Sequence, residues 1–352
     1  MIKLSFSTLI RIATLMAACV LVGCGGASST VNPLRPTRVI AFGDAFSTVD
    51  SRGYATYSVN TSETNATVAS RLATIYGFTM KYYTASPSPV HASGTAYSYA
   101  AGTATSSDTK AQVQLYLSNG NSPGASDLFI ITAGTQDIVS ASQPSKDTSA
   151  IATAATKLTE AVQLLTNAGA KYILVMQPIN VARTPLYLAA TSNGIRPAGG
   201  YAAYNTNAQE LSYDTGTACQ SFSCLLSTKL NAAYPATSSH QPVLLADLMS
   251  YFNLITGTTN TGSANTFSSY GVANPDLVVC TTASWTGYPT TTPSCATSTP
   301  STLVTTSTNQ YTSTSWDYST SVFAYDYFTT PFANRLMGDY IYNYNFYRAG
   351  WR

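Results

Sequence analysis

Groups that could accept a proton near neutral pH are scarce in this chain of 352 residues, which contains two histidines, His91 and His240. A serine becomes a strong nucleophile when a histidine takes its proton and a carboxylate orients that histidine. His91 lies in a proline-bearing loop and His240 just before a predicted strand, where histidines commonly only pack. We therefore expect neither histidine to be catalytic, and we expect Ser47, two residues after Ala45, to cap a helix.

Three of the 15 carboxylates of the chain lie in short segments that follow or interrupt apolar runs. Asp44 follows Gly43 in "FGDAF", and Asp137 follows Gly134 in "AGTQD". We expect both aspartates to bind backbone N–H groups and to shape their loops. Asp326 has no histidine three residues later to orient, so we expect it to have a surface or capping role.

Elements that would position these residues alternate along the chain from about residue 37. Short apolar runs are followed by segments of helical periodicity, which predicts an α/β domain over residues 37–352 with a parallel sheet covered by helices on both faces. In "KAQVQLYL", from residue 110, strand and helix patterns compete. The other predicted strands are "RVIAF", "DLFIITAG", "KYILVMQP" and "QPVLLADL", and the predicted helices include residues 66–77, 147–169 and about 331–344.

Four blocks in order resemble the SGNH or GDSL esterase/lipase family. "FGDAF" is similar to F-G-D-S-L, "YSYAAGTAT" to N-Y-A-x-G-G-A-T, and "AGTQD" to A-G-x-N-D. "FAYDYFTTPFANRLMGDY" is similar to F-x-D-D-x-H-P-T followed by a helix. The resemblance spans most of residues 37–346. It implies a three-layer α/β sandwich with a parallel five-stranded sheet between helices, and hydrolysis of ester bonds.

The same resemblance places the family's catalytic residues on side chains that cannot perform the reaction. The nucleophile falls on Ala45, and the aspartate and histidine fall on Tyr325 and Phe328. The oxyanion donors fall on the N–H of Ala45, on Gly102 or the adjacent Thr103, and on Gln136 in place of asparagine. All three triad positions are substituted, so we expect a polar recess lined by the rings of Tyr325 and Phe328. Those rings either leave room for a ligand or fill the space.

Four cysteines beyond residue 24 suggest disulfides, since an even count is typical of exported chains. Proximity favours Cys219 with Cys224 and Cys280 with Cys295, although four cysteines allow three pairings. Zinc is a competing interpretation, but the spacings match no common zinc pattern. Residues 256–320, rich in Thr and Ser, contain the second pair and predict a packed, disulfide-tied insertion.

Targeting signals dominate the first residues. A basic start, an apolar stretch and "LVGC" resemble a bacterial lipoprotein signal over residues 1–23, after which Cys24 would be lipidated. An ordinary signal peptide is the alternative. Residues 24–36 are small and polar, which is typical of a tether, and Gly25 favours the outer membrane of a bacterial envelope. Removing residues 1–23 leaves 15 basic and 15 acidic residues of the original 17 and 15, so no nucleic-acid partner is indicated.

The sequence thus favours a lipid-anchored relative of GDSL esterases that has lost the reaction and binds an acyl or glycan ligand or a partner. No cofactor or metal is indicated. One alternative is an active hydrolase of lipid or acylated-glycan esters that uses a non-standard site. Another is that the insertion at residues 256–320 is the recognition surface and the core only a platform.

Overall fold

A computed structural model describes residues 33–84, 90–188, 201–214, 218–235, 241–257, 266–280, 295, 297 and 317–352. Cys24, Thr-rich residues 298–316 and His240 lie outside the described residues, so the predictions on them are not addressed by the structure. Within the described part, no helix is long and apolar enough to cross a membrane.

A six-stranded parallel sheet forms the centre of the domain, with strand order β2-β3-β1-β4-β5-β6. The resemblance implied five strands, and the additional one is the short edge strand β2, whose exposed Lys81 and Tyr82 carry no apolar run. Its strands are β1 Arg38–Gly43, β2 Met80–Tyr82, β3 Thr95–Ser98, β4 Leu128–Thr132, β5 Tyr172–Met176 and β6 Val243–Ala246.

Helices follow most strands, as parallel connections require. They are α1 Val68–Ile75, α2 Ser106–Ser118, α3 Thr135–Ala141, α4 Thr148–Asn167, α5 Asn205–Ser212, α6 Phe222–Ala233, α7 Leu248–Ile255 and α8 Pro331–Tyr340. The competing pattern near residue 110 resolves as helix α2, which begins at a capping box of Thr105 and Asp108. The predicted last helix stops being α-helical at Tyr340 and continues as a π-helix, Ile341–Phe346.

Two apolar clusters hold the three layers together, and they use alternate residues of the same strands. Ile40 and Phe42 of β1 pack with Tyr116 of α2 and Leu158 of α4 in one cluster. Val39 and Ala41 pack in the other cluster, with α1, α7 and α8. Side chains of a strand point alternately to its two faces, so both faces of the sheet are buried. The predicted three-layer α/β architecture is confirmed.

The insertion contributes a strand to a second, three-stranded sheet, which the sequence did not predict. Its strands are β7 Asn274–Val278, β8 Ser321–Tyr325 and β9 Phe328–Thr329. The disulfide Cys280–Cys295 lies next to β7 in sequence, and its two cysteines are buried. Cys219–Cys224 forms the other predicted bond, so the pairing by proximity is confirmed.

Candidate functional site

A tight turn begins at Gly43, at the carboxyl end of β1, and lies against the carboxyl end of the neighbouring strand β4. Gly43 has φ of 119°, and a Cβ there would lie 1.6 Å from the carbonyl oxygen of Thr132. Only glycine tolerates both the positive φ and this close approach. In the turn that follows, through Asp44 and Ala45, the N–H of Asp44 donates to the carbonyl oxygen of Thr132 at 2.9 Å. Ala45 is therefore held at the edge of the sheet where substrates of parallel α/β proteins commonly bind.

Asp44 and Asp137 shape this edge in the predicted way. Oδ1 of Asp44 accepts from the N–H of Phe46 at 3.2 Å. Oδ2 of Asp137 accepts from both the N–H and the hydroxyl of Ser106 at 2.8 Å, which ties α3 to the start of α2. The prediction that both carboxylates bind backbone N–H groups is confirmed. Burial raises the pKa of each of them, that of Asp44 to about 6.

The recess at this edge, here called the β1–β4 recess, brings together the three predicted oxyanion positions Ala45, Gly102 and Gln136. Its cavity is about 10 Å³, close to the least that one water molecule needs. Two oxygens at its wall, Oδ2 of Asp44 and Oγ1 of Thr135, have no hydrogen-bond partner among the described residues. It is lined by Asp44, Ala45, Phe46, Tyr57, Gly102, Thr135, Gln136, Tyr327, Phe328, Thr329 and Asn334.

Three aromatic rings fill the space. The ring of Tyr57 lies over Gly102, where a Cβ would be 2.2 Å from it. Its centroid is 5.1 Å from that of Phe328, which in turn is 4.3 Å from that of Tyr327. Tyr57 adopts φ of 55°, a costly conformation for a bulky residue. The packing of its ring compensates for that strain.

The expectation that Tyr325 lines the recess is wrong, because Tyr327 lines it and Tyr325 does not. Tyr325 is the last residue of β8, and Phe328 opens β9, with which β8 pairs in antiparallel fashion. Phe328 does line the recess, as predicted. The ring of Tyr57 was missed altogether, and no periodicity or motif around residue 57 signals it.

The side chain of Gln136 is engaged by protein groups instead of being available to a ligand. Its Oε1 accepts from the hydroxyl of Tyr327 at 2.7 Å, and its Nε2 donates to Oγ of Ser140 at 3.2 Å. The amide group that would stabilise an oxyanion is thereby part of the packing around the recess.

Ser47 and His91 do not form a displaced catalytic pair. Ser47 is fully buried and its hydroxyl is 3.0 Å from that of Thr132. No helix begins at Ser47, so the predicted capping role is wrong. His91 is buried among tyrosine rings with Nε2 2.7 Å from the hydroxyl of Tyr99, and burial followed by the charge of Arg38 lowers its pKa to about 4.

Asp326 is neither a surface residue nor a cap, contrary to the sequence prediction. It is only 3% exposed, and its Oδ1 has no partner among the described residues. Burial raises its pKa to about 7. The chain turns between β8 and β9 at this point, which places the carboxyl inside the domain and could not be inferred from the local sequence.

A family model for the GDSL-like lipase/acylhydrolase matches residues 39–234, more than half of the chain. The chain belongs to this family. No curated protein matches it. Among solved structures it is similar to a member of the lipolytic G-D-S-L family from Veillonella parvula, with 10% identity over 60% of this chain and 78% of that one and a TM-score of 0.32. A candidate acylhydrolase from Bacteroides fragilis is similar over 69% of this chain and 83% of that one, with 14% identity and a TM-score of 0.32.

Within the GDSL-like family, the assignment of Ala45, Tyr325 and Phe328 to the former triad positions remains a prediction from the motifs. The geometry adds that Ala45 offers no side-chain oxygen at the turn after β1, and that none of the described residues lining the β1–β4 recess is a histidine. The cavity of about 10 Å³ has room for about one water molecule and is too small for an acyl chain.

Proposed function

We propose that this chain is a non-hydrolytic member of the GDSL-like lipase/acylhydrolase family, anchored to a bacterial envelope membrane by a lipid on Cys24 and acting through binding. The observation that carries the proposal is the β1–β4 recess, in which Ala45 occupies the turn after β1 and aromatic rings reduce the cavity to about 10 Å³. Transfer of an acyl group needs both a nucleophile and space for the carbonyl carbon next to it. Among the described residues that line the β1–β4 recess there is no serine or cysteine, and its cavity of about 10 Å³ leaves no such space.

Packing around the recess supports the same proposal. Gly102 is covered by Tyr57, and the amide of Gln136 is bonded to Tyr327 and Ser140. A site built for catalysis keeps its donors free for the developing charge. Here one donor is covered and another is engaged, so the former machinery serves the stability of the domain.

The experiment is to treat the full chain, purified in mild detergent, with a fluorophosphonate probe and with p-nitrophenyl esters of short and long acids. We expect no labelled serine and no turnover above that of heat-denatured protein. The matched variant carries Ala45→Ser, Tyr325→Asp and Phe328→His, with Tyr57→Gly to uncover Gly102. We expect labelling at residue 45 to appear in this variant.

Turnover by the natural chain, with a label mapped by mass spectrometry to one of its own serines, would contradict the proposal. It would instead establish the alternative of a hydrolase with a non-standard site, and the labelled residue would locate that site.

Anchoring is tested separately, by growing cells with an alkyne analogue of palmitate. We expect the natural chain to be labelled and to sediment with outer membranes. Cys24→Ala abolishes both results if the cysteine carries the lipid. Retained labelling in Cys24→Ala would disprove lipidation at this residue without bearing on hydrolysis.

A further inference from the structure

A second opening, here called the β5–β6 pocket, lies at the same carboxyl edge of the sheet. Gln177 directly follows β5, and Asp247 directly follows β6. The cavity is about 510 Å³, within the range of about 300–1,000 Å³ typical of small-molecule sites. It is lined by Gln177, Tyr213, Asp214, Ser221, Ser223, Cys224, Ser227, Asp247, Met249, Ser250 and Asn253.

Local hydrogen bonds hold the walls of the β5–β6 pocket in place. Asp214 accepts from the N–H of Gln220 and from both the N–H and the hydroxyl of Ser221, at 2.9–3.0 Å. The disulfide Cys219–Cys224 ties the same loop to the first turn of α6. A site whose walls are already ordered loses less entropy when it binds.

Asp247 orders the opposite wall. It caps α7, accepting from the N–H of Ser250 at 3.0 Å and from its hydroxyl at 2.6 Å. Each ionised carboxylate has about four acceptor positions, so Asp214 and Asp247 keep unused lone pairs beyond these structural bonds.

Unused hydrogen-bonding groups of both kinds line the β5–β6 pocket. Among the described residues, no group forms a hydrogen bond with the side-chain amide of Gln177. Oδ1 of Asn253 accepts from Asn180 at 2.9 Å, while its Nδ2 has no acceptor among the described residues. Ser223 is buried, and its hydroxyl has no hydrogen-bond partner in the part of the chain that the structure describes. The lining thus offers N–H and O–H donors together with amide and carboxylate acceptors.

The charge of the lining excludes some ligand classes. Two carboxylates and no lysine, arginine or histidine line the β5–β6 pocket in the described structure, so an anion would be repelled. A purely apolar ligand would leave the polar groups unpaired, which is costly. A metal held by thiolates is also excluded, since the sulfurs of Cys219 and Cys224 are bonded to each other beside Asp214.

We propose that the β5–β6 pocket is a binding site for an uncharged sugar unit. The vicinal hydroxyls of a sugar donate to the carboxylates of Asp214 and Asp247 and accept from the amides of Gln177 and Asn253. The side chain of Met249 supplies an apolar surface for the C–H groups of the sugar ring. This site stands whether or not the β1–β4 recess hydrolyses esters.

The test is to measure binding of three ligands of equal size, methyl glucoside, glucosamine and glucuronate, to the full chain in mild detergent by ligand-observed NMR and calorimetry. We expect methyl glucoside to bind with a Kd of about 1 mM or tighter, and glucuronate to bind at least tenfold more weakly. Absence of binding by all three, or equal binding of methyl glucoside and glucuronate, overturns the proposal.

Variants then locate the site. We expect Gln177→Leu to weaken the binding of methyl glucoside about tenfold. The matched variant Gln163→Leu, on the exposed side of α4, should leave this binding unchanged. Asp247→Asn keeps a good helix cap and should reduce the discrimination against glucuronate. If methyl glucoside binds equally to Gln177→Leu and to Gln163→Leu, the sugar is held elsewhere and the assignment of this pocket is wrong.

Discussion

The β1–β4 recess and the β5–β6 pocket lie at the same edge of one parallel sheet, yet one has a cavity of about 10 Å³ and the other about 510 Å³. The first retains the turn, glycines and aspartates of the family motif and is filled by aromatic rings. The second carries none of the four motif blocks and is lined by small polar side chains. The motif residues that build the turn are thus present beside a recess that is filled by aromatic rings.

The residue types explain the difference. Tyr57, Tyr327 and Phe328 reduce the β1–β4 recess to a cavity of about 10 Å³, room for about one water molecule, and their packing contributes to the apolar core. Ser221 is the N-cap of α6, and Ser223 and Ser227 lie in its first two turns. All three side chains are too short to span the β5–β6 pocket. If the comparison is right, substitutions in the recess change stability, while substitutions in the pocket change ligand binding.

The largest effect is expected for Phe328→Ala. The ring is 1% exposed, and removing a buried aromatic side chain costs about 3–5 kcal/mol in the free energy of unfolding. The matched variant in the β5–β6 pocket, Gln177→Ala, should change the free energy of unfolding by less than about 0.5 kcal/mol. Urea unfolding of both variants measures these changes. Equal losses of stability would contradict the view that the recess stabilises the domain and the pocket does not.

Asp326→Asn should change the pH dependence of stability. Burial raises the pKa of Asp326 to about 7 in the folded protein, from about 3.8 in the unfolded chain. The folded protein therefore binds a proton that the unfolded chain has released, and stability falls as pH rises from about 4 to 7. Asp44, with a folded pKa of about 6, acts in the same direction. We expect the variant to be roughly 4 kcal/mol more stable at pH 8 and little changed near pH 4, since each pKa unit corresponds to about 1.4 kcal/mol.

Urea unfolding of Asp326→Asn at pH 4, 5, 6, 7 and 8 makes this comparison, with Asp214→Asn in the β5–β6 pocket as the carboxylate control. A profile for Asp326→Asn that is parallel to that of the natural chain would show that the Asp326 carboxyl is hydrated in solution.

Tyr57→Gly removes one of the rings that fill the β1–β4 recess without introducing a reactive side chain. Loss of the ring is destabilising, but glycine relieves the positive φ at this position, so we expect a net loss of about 2 kcal/mol, smaller than for Phe328→Ala. The new space should bind a small apolar molecule such as benzene, detected by NMR. A variant that loses stability but binds nothing would indicate that the neighbouring rings collapse into the space.

Tyr327→Phe should have the smallest effect. It removes the hydroxyl that donates to Gln136 at 2.7 Å and leaves a buried amide oxygen with one fewer donor, which costs about 1–2 kcal/mol. Thermal unfolding measures the loss. No change would mean that water replaces the hydroxyl and that the recess is wetter than its cavity volume indicates.

Much of the architecture could be predicted from the chain because the signals are local. The buried strands β1, β4 and β5 are continuous apolar runs, and α4 has a regular apolar stripe beginning after Asp147, whose carboxylate accepts from the N–H groups of Ser149 and Ala150. The edge strand β2 has three residues and no such run. The second sheet could not be predicted, because its partners β7 and β8 are more than forty residues apart, and such a long-range pairing leaves no local signal in the sequence.

The sequence by itself determined the fold family and the presence of alanine at position 45, and cysteine spacing favoured the two disulfides that the structure contains, because motif order, residue identity and spacing are read along the chain. Only the tertiary structure decided that Tyr57 covers Gly102, that Tyr327 and not Tyr325 faces the recess, and that Asp326 is buried. It also formed the β5–β6 pocket, whose walls come from segments far apart in sequence. Those features depend on long-range packing, and cavity volume and burial are properties of assembled side chains that no local pattern encodes.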